Sequence, residues 1–94
     1  MQNDKQIQDI KSKANYERAS LQSINQKVSD PGLKDQITLA MALIDDVDQF
    51  FLRATKALAN NELVGDHLLM AHASLEIVAK TRESLEKLLK KSSR

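Results

Sequence analysis

One row of apolar residues constrains this chain more than anything else in it. Leu33, Ile37, Ala40, Ile44, Val47, Phe51, Ala54 and Leu58 are spaced alternately four and three residues apart. That unbroken heptad keeps one face of a helix against a partner helix. A second row, Leu43, Phe50 and Ala57, widens the face. A strict two-in-seven stripe serves one neighbour, whereas a broader face suits a helix wedged between two. The spacing therefore predicts a central helix over about 31–59.

A second heptad run lies upstream at Ile7, Ile10, Ala14, Glu17, Leu21, Ile24 and Val28. It predicts a first helix over about 4–28, capped by Asn3 or Asp4 with Gln6 at the capping-box spacing from Asn3. This face is narrow and carries one charge in its seam, so by itself it covers the broad face of the central helix poorly. Ser29-Asp30-Pro31-Gly32 punctuates the chain: Pro31 suits the first helical position and Asp30 the N-cap. A third run, Leu68, Ala71, Leu75, Val78, Arg82, Leu85 and Leu89, predicts a helix over about 62–91. Its start lies near Asn61 or near Asp66, because both Asn60-Asn61 and Gly65-Asp66 offer a break. Glu76/Lys80, Glu83/Lys87 and Glu86/Lys90 stand acid-before-base at i,i+4, and Lys87, Lys90, Lys91 and Arg94 suit a helix C-terminus.

Ninety-four residues with two Gly, one Pro and no strand-like alternation make one helical domain over 1–94. Short connections between helices imply antiparallel neighbours. The expected fold is all-α, an elongated antiparallel three-helix bundle with coiled-coil-like packing.

Composition narrows the function by exclusion. There is no Cys, so no disulfide framework and no thiolate metal site. The net charge of +1 is spread evenly, and no third of the chain is basic enough for phosphate-backbone binding. No apolar run approaches the roughly 20 residues that span a bilayer. The polar Met-Gln-Asn-Asp-Lys start leads into no signal-peptide core. The expectation is a soluble cytoplasmic protein, or one exported by a signal-independent route, with no nucleic-acid partner, membrane insertion, cofactor or small-molecule substrate.

Candidate chemistry is sparse. His67 and His72 sit five residues apart, about 140° round a helix, so they do not chelate one metal as an i,i+4 pair does. The run from Ala57-Leu58 to Ala71-His72 resembles the phosphoacceptor helix of histidine-containing phosphotransfer domains, which would make His72 the acceptor. That family's Lys-Gly pair after the histidine is replaced by Ala73-Ser74-Leu75-Glu76. Asp45, Asp46 and Asp48 form an acidic cluster on the central helix, read as a solvated patch or a docking surface for a basic partner. Two readings of Arg82 stay open: a stem packed in the seam with its head reaching water, or an interface group pairing with Glu17 within the chain or across to a partner. Phe50, Phe51 and Met70 read as core. Leu39, Met41 and Leu52 lie further round the central helix and would form an apolar patch if left exposed. With Arg82 they are the candidate partner-binding residues.

Ala57-Leu58-Ala59-Asn60, followed by Val64, His67 and Met70-Ala71, resembles the loop-and-helix segment of the flagellar hook-basal-body rod-adapter family over about 15 residues. The Asp30-Pro31 turn is similar to that of type III secretion needle and inner-rod subunits. The rod family's C-terminal Arg-Asn and Tyr-Gln-Glu residues are absent, with Thr81-Arg82-Glu83-Ser84 in their place, and no functional residue carries over. The resemblance implies a small structural or chaperone component of a protein-export apparatus. The residues alone point to a non-enzymatic protein that binds partner helices, as an assembly subunit, adaptor or small chaperone, or that self-associates through the heptad face and its flanks.

Overall fold

The computed structural model describes the backbone of residues 2–92 and the side chains of residues 5–91. Three helices form: α1 (Gln2–Lys27), α2 (Pro31–Ala59) and α3 (Gly65–Ser92). They pack against one another as an all-α three-helix bundle. Helix α1 begins upstream of its expected caps. The side chains of Asn3 and Asp4, like all of Arg94, lie outside what the structure describes.

The heptads account for the core. From α1, Ile7, Ile10, Ala14, Leu21 and Ile24 are buried, with Val28 just past its end; from α2, Ile37, Ala40, Ile44, Val47, Ala54 and Ala57; from α3, Leu68, Ala71, Leu75, Val78 and Leu85. Leu33, Leu43, Phe50, Phe51, Leu58 and Leu89 are half-buried against this cluster. The α2 seam is thus covered by the chain's own α1 and α3, which leaves only its flanks for anything else. Glu17 interrupts the α1 seam as expected, and Arg82 of α3 answers its carboxylate.

The two turns follow from residue chemistry. Asp30 adopts extended backbone (φ −68°, ψ 125°), and its Oδ2 accepts from the Leu33 amide at 3.0 Å, so it caps α2 ahead of Pro31. Gly32 keeps this cap clear, since a Cβ there would stand 3.1 Å from the same oxygen. At the far end Asn61 takes a left-handed φ of 58°. The Asn61 amide donates to Leu58 at 3.1 Å and the Glu62 amide to Ala57 at 2.7 Å. This double closure is a Schellman stop, with Asn in the place glycine usually takes. Helix α3 then starts at Gly65, on the Asp66 side of the two candidate starts, with the Leu68 amide donating to the Val64 carbonyl at 3.0 Å.

The connections, residues 28–30 and 60–64, are too short to let a helix run back alongside in the same direction, so the course is up, down, up. Cross-links agree: Arg18 of α1 reaches Asp48 of α2, and Lys34 of α2 reaches the carbonyl of Asn25 at 3.2 Å. The bundle measures 53 × 21 × 17 Å with a radius of gyration of 15.1 Å. A compact chain of this length would have about 12 Å, so the molecule is a rod with long lateral faces.

Asp30→Ala removes a cap bond and costs about 1 kcal/mol. In a domain of this size that lowers the melting temperature by roughly 4–8 °C. Asn61→Val, which places a β-branched residue at positive φ, costs at least as much. Thermal unfolding followed by circular dichroism checks both.

Candidate interaction face

A buried ion pair decides how the three helices are arranged. Glu17 is the one polar residue in the core among the described residues, with 4% of its surface exposed. Arg82 Nε donates to Glu17 Oε1 at 2.7 Å and to Oε2 at 2.6 Å. Arg82 Nη1 also donates to Glu86 Oε1, and its guanidinium carbon lies 5.3 Å from the centre of the Tyr16 ring. The hydrogen bonds that the guanidinium donates to Glu17 chiefly raise its pKa above the ordinary value. Burial opposes that shift, and Glu86 adds to it. Of the two readings of Arg82, the intrachain pair with Glu17 is the one that forms. Glu86 turns back to Arg82, while the expected Glu76–Lys80 pair forms at 3.4 Å.

The acidic cluster of α2 is partly engaged within the chain. Arg18 pairs with Asp48 and lies 4.0 Å from Asp45, while Asp46 faces away and is exposed. These contacts put the Asp45/Asp48 edge of α2 toward α1. On α3 the edge toward α1 carries His72, Glu76 and Ala79, which line a groove of about 540 Å³ with Ser12, Lys13 and Tyr16. Helix α1 therefore occupies one side of the α2–α3 pair.

The other side is open and apolar. Opposite the Asp45/Asp48 edge, α2 presents Leu39, 68% exposed, with half-buried Leu43 and Phe50 beneath it. Opposite the His72/Glu76 edge, α3 presents Met70 (53% exposed), Ile77 (54%) and Leu88 (45%). Met70, Ser74, Ile77, Thr81, Ser84 and Leu88 form a second heptad on α3, spaced four and three residues in alternation. No charge interrupts this row, although charged residues occupy much of the rest of the helix. The Thr81 hydroxyl donates to the Ile77 carbonyl at 3.0 Å, so its methyl is left to the surface. Arg53 lies over the Phe50 ring at 5.9 Å and shields part of it.

Several expected positions fall elsewhere. Met70 is exposed, not core, because it sits about 100° round α3 from the buried row. Leu39, Met41 and Leu52 do not make one patch. Met41 packs partly against the core. At about 100° per residue, Met41 and Leu52 share the α1-side edge of α2, while Leu39 lies at least about 140° away on the opposite edge. Arg82 is an internal strut. The α3 row is faint in the sequence because serine and threonine do not register as apolar; its lack of charge is the signal it carries. His67 is half-buried and His72 exposed. No group of three or more His, Asp or Glu among the described residues is placed to hold a metal ion. No helix among them is long and apolar enough to cross a membrane. Comparison with protein-family models, curated proteins and solved structures finds no match.

Arg82→Leu strands the Glu17 carboxylate in the core and destabilises the fold by about 3–5 kcal/mol. The double variant Glu17→Leu/Arg82→Leu replaces the pair with apolar contact and recovers most or all of that loss. Urea unfolding of the two singles and the double, taken as a double-mutant cycle, reads the coupling.

Proposed function

We propose that this chain is a non-enzymatic helical interaction protein whose binding surface is the open side of the α2–α3 pair. The observation that carries this reading is the exposed row Met70, Ile77 and Leu88 beside Leu39, Leu43 and Phe50. A run of apolar side chains this long on a small surface marks a contact site more often than a solvent face. The shape fits a helix: the α3 row spans about 27 Å, and heptad spacing is the pattern that receives knobs from a partner helix. An assembly subunit, an adaptor and a small chaperone would all use such a groove by laying an amphipathic helix into it.

A direct test uses a fluorescent amphipathic helical peptide with apolar residues at i, i+3, i+4 and i+7. Anisotropy titration should show micromolar binding to the wild-type chain. Ile77→Lys should weaken it at least tenfold while leaving helicity and melting temperature unchanged, since Ile77 adds nothing to the core. Absence of peptide binding by the wild-type chain would contradict the reading.

A further inference from the structure

The open face is complementary to itself. We infer that its occupant is a second copy of this chain, turned by a two-fold axis parallel to the long axis of the bundle, so that α2 of each copy lies on α3 of the other. The inference rests on the helix-binding reading and names its partner.

The geometry follows from the α2–α3 turn. Ala59 ends α2 and Gly65 begins α3, so residue n of α2 lies level with about residue 124 − n of α3. An axis along the bundle preserves those levels and carries α3 of the partner over α2. Phe50 then meets the partner's Ser74, Leu43 meets the partner's Thr81, and Leu39 meets the partner's Ser84. Large α2 side chains thus stand opposite small α3 ones. The partner's Ile77 falls between Leu43 and Phe50, while its Met70 and Leu88 lie just beyond Phe50 and Leu39 at the two ends of the row. Such interdigitation of large with small is what close helix packing requires.

Charge agrees with shape. The outer rim of the α2 face carries Asp35 and Asp46 beside the Arg53 that lies over Phe50, and that of α3 carries Lys91 and Lys80, whose ammonium also pairs with Glu76 of its own helix; all are exposed. In the two-fold arrangement Asp46 stands about two residues, roughly 3 Å along the axis, from the partner's Lys80, and Asp35 as close to the partner's Lys91. Each contact occurs twice, as an isologous interface demands. Every contacting pair of helices in the four-helix layer is antiparallel, which aligns the helix dipoles favourably. The alternative axis, across the bundle, sets α3 on α3 and brings Asp46 against its own copy, a like-charge contact at the symmetry centre.

The size is sufficient for a modest affinity. An apolar strip about 27 Å long on a rod 21 Å wide covers on the order of 550 Å² per copy, or about 1,100 Å² in total. That lies at the small end of specific interfaces, the size class of weak and transient contacts.

The chain has no cysteine, so single-cysteine variants report the arrangement cleanly. Asp46→Cys and Lys80→Cys, both at exposed positions, are oxidised separately and as a mixture, with helicity checked by circular dichroism. The mixture should give a disulfide-linked dimer containing one chain of each kind, and neither variant alone should. Asp35→Cys mixed with Lys91→Cys should behave alike at the other end of the face. Cross-linking of Lys80→Cys with itself as readily as in the mixture overturns the arrangement in favour of α3 on α3. If no sample cross-links while the amphipathic peptide still binds, the self-pairing is wrong and a foreign helix is the partner. Loss of both results removes the helix-binding reading as well.

Discussion

The pairing of Glu17 with Arg82 is the constraint on which the rest of this structure depends. A carboxylate with 4% exposure is tolerable only if a cation answers it at hydrogen-bond distance. Arg82 meets that need from the seam of α3, with two bonds near 2.65 Å and with Tyr16 and Glu86 holding the other parts of the guanidinium. An apolar seam tolerates slippage by a heptad, because leucine replaces leucine at little cost. A buried ion pair does not, because a slip strands both charges. The pair therefore fixes the register of α1 on α3 and, with Arg18 on the Asp45/Asp48 edge of α2, fixes which side of the α2–α3 pair α1 occupies. The open side is a consequence of that choice.

This division of labour explains a pattern the bundle would otherwise lack reason for. The inner heptads contain nearly all of the isoleucine, valine and leucine that pack at full burial. The outer heptad of α3 runs Met, Ser, Ile, Thr, Ser and Leu, mixing large and small side chains with no charge. A face meant only for water gains nothing from excluding Lys and Glu over about 18 residues, whereas the adjacent α1-facing edge of α3 carries Glu76, Glu83 and Glu86. Mixed side-chain size without charge is the composition that the proposed contact surface requires.

Much of the architecture was legible in the sequence because it rests on period and punctuation. The α2 seam, the Asp30-Pro31 cap and the three buried rows are each local signals with one physical meaning. The Asn60–Asp66 region offered two helix starts. Only the left-handed Asn61 and the closure of Glu62 onto Ala57 decide between them, and those bonds depend on tertiary placement of Val64 in the core. The proposed binding face was harder to read. Leu39, Met41 and Leu52 look alike as apolar residues off the seam, yet which edge of α2 each occupies matters only once α1 is known to lie on one of them. Met70 has core chemistry and core-like spacing from its neighbours, but it belongs to the outer heptad, about 100° away.

In the proposed two-fold arrangement the open face closes on itself in solution. Sedimentation equilibrium of the wild-type chain over a concentration series from about 1 µM to about 500 µM measures this directly. The predicted result is a weight-average mass that climbs from the 10.6 kDa of one chain toward twice that value, with Ile77→Lys remaining at the single-chain mass throughout and fully helical. A wild-type mass that stays at one chain across the whole series would contradict it.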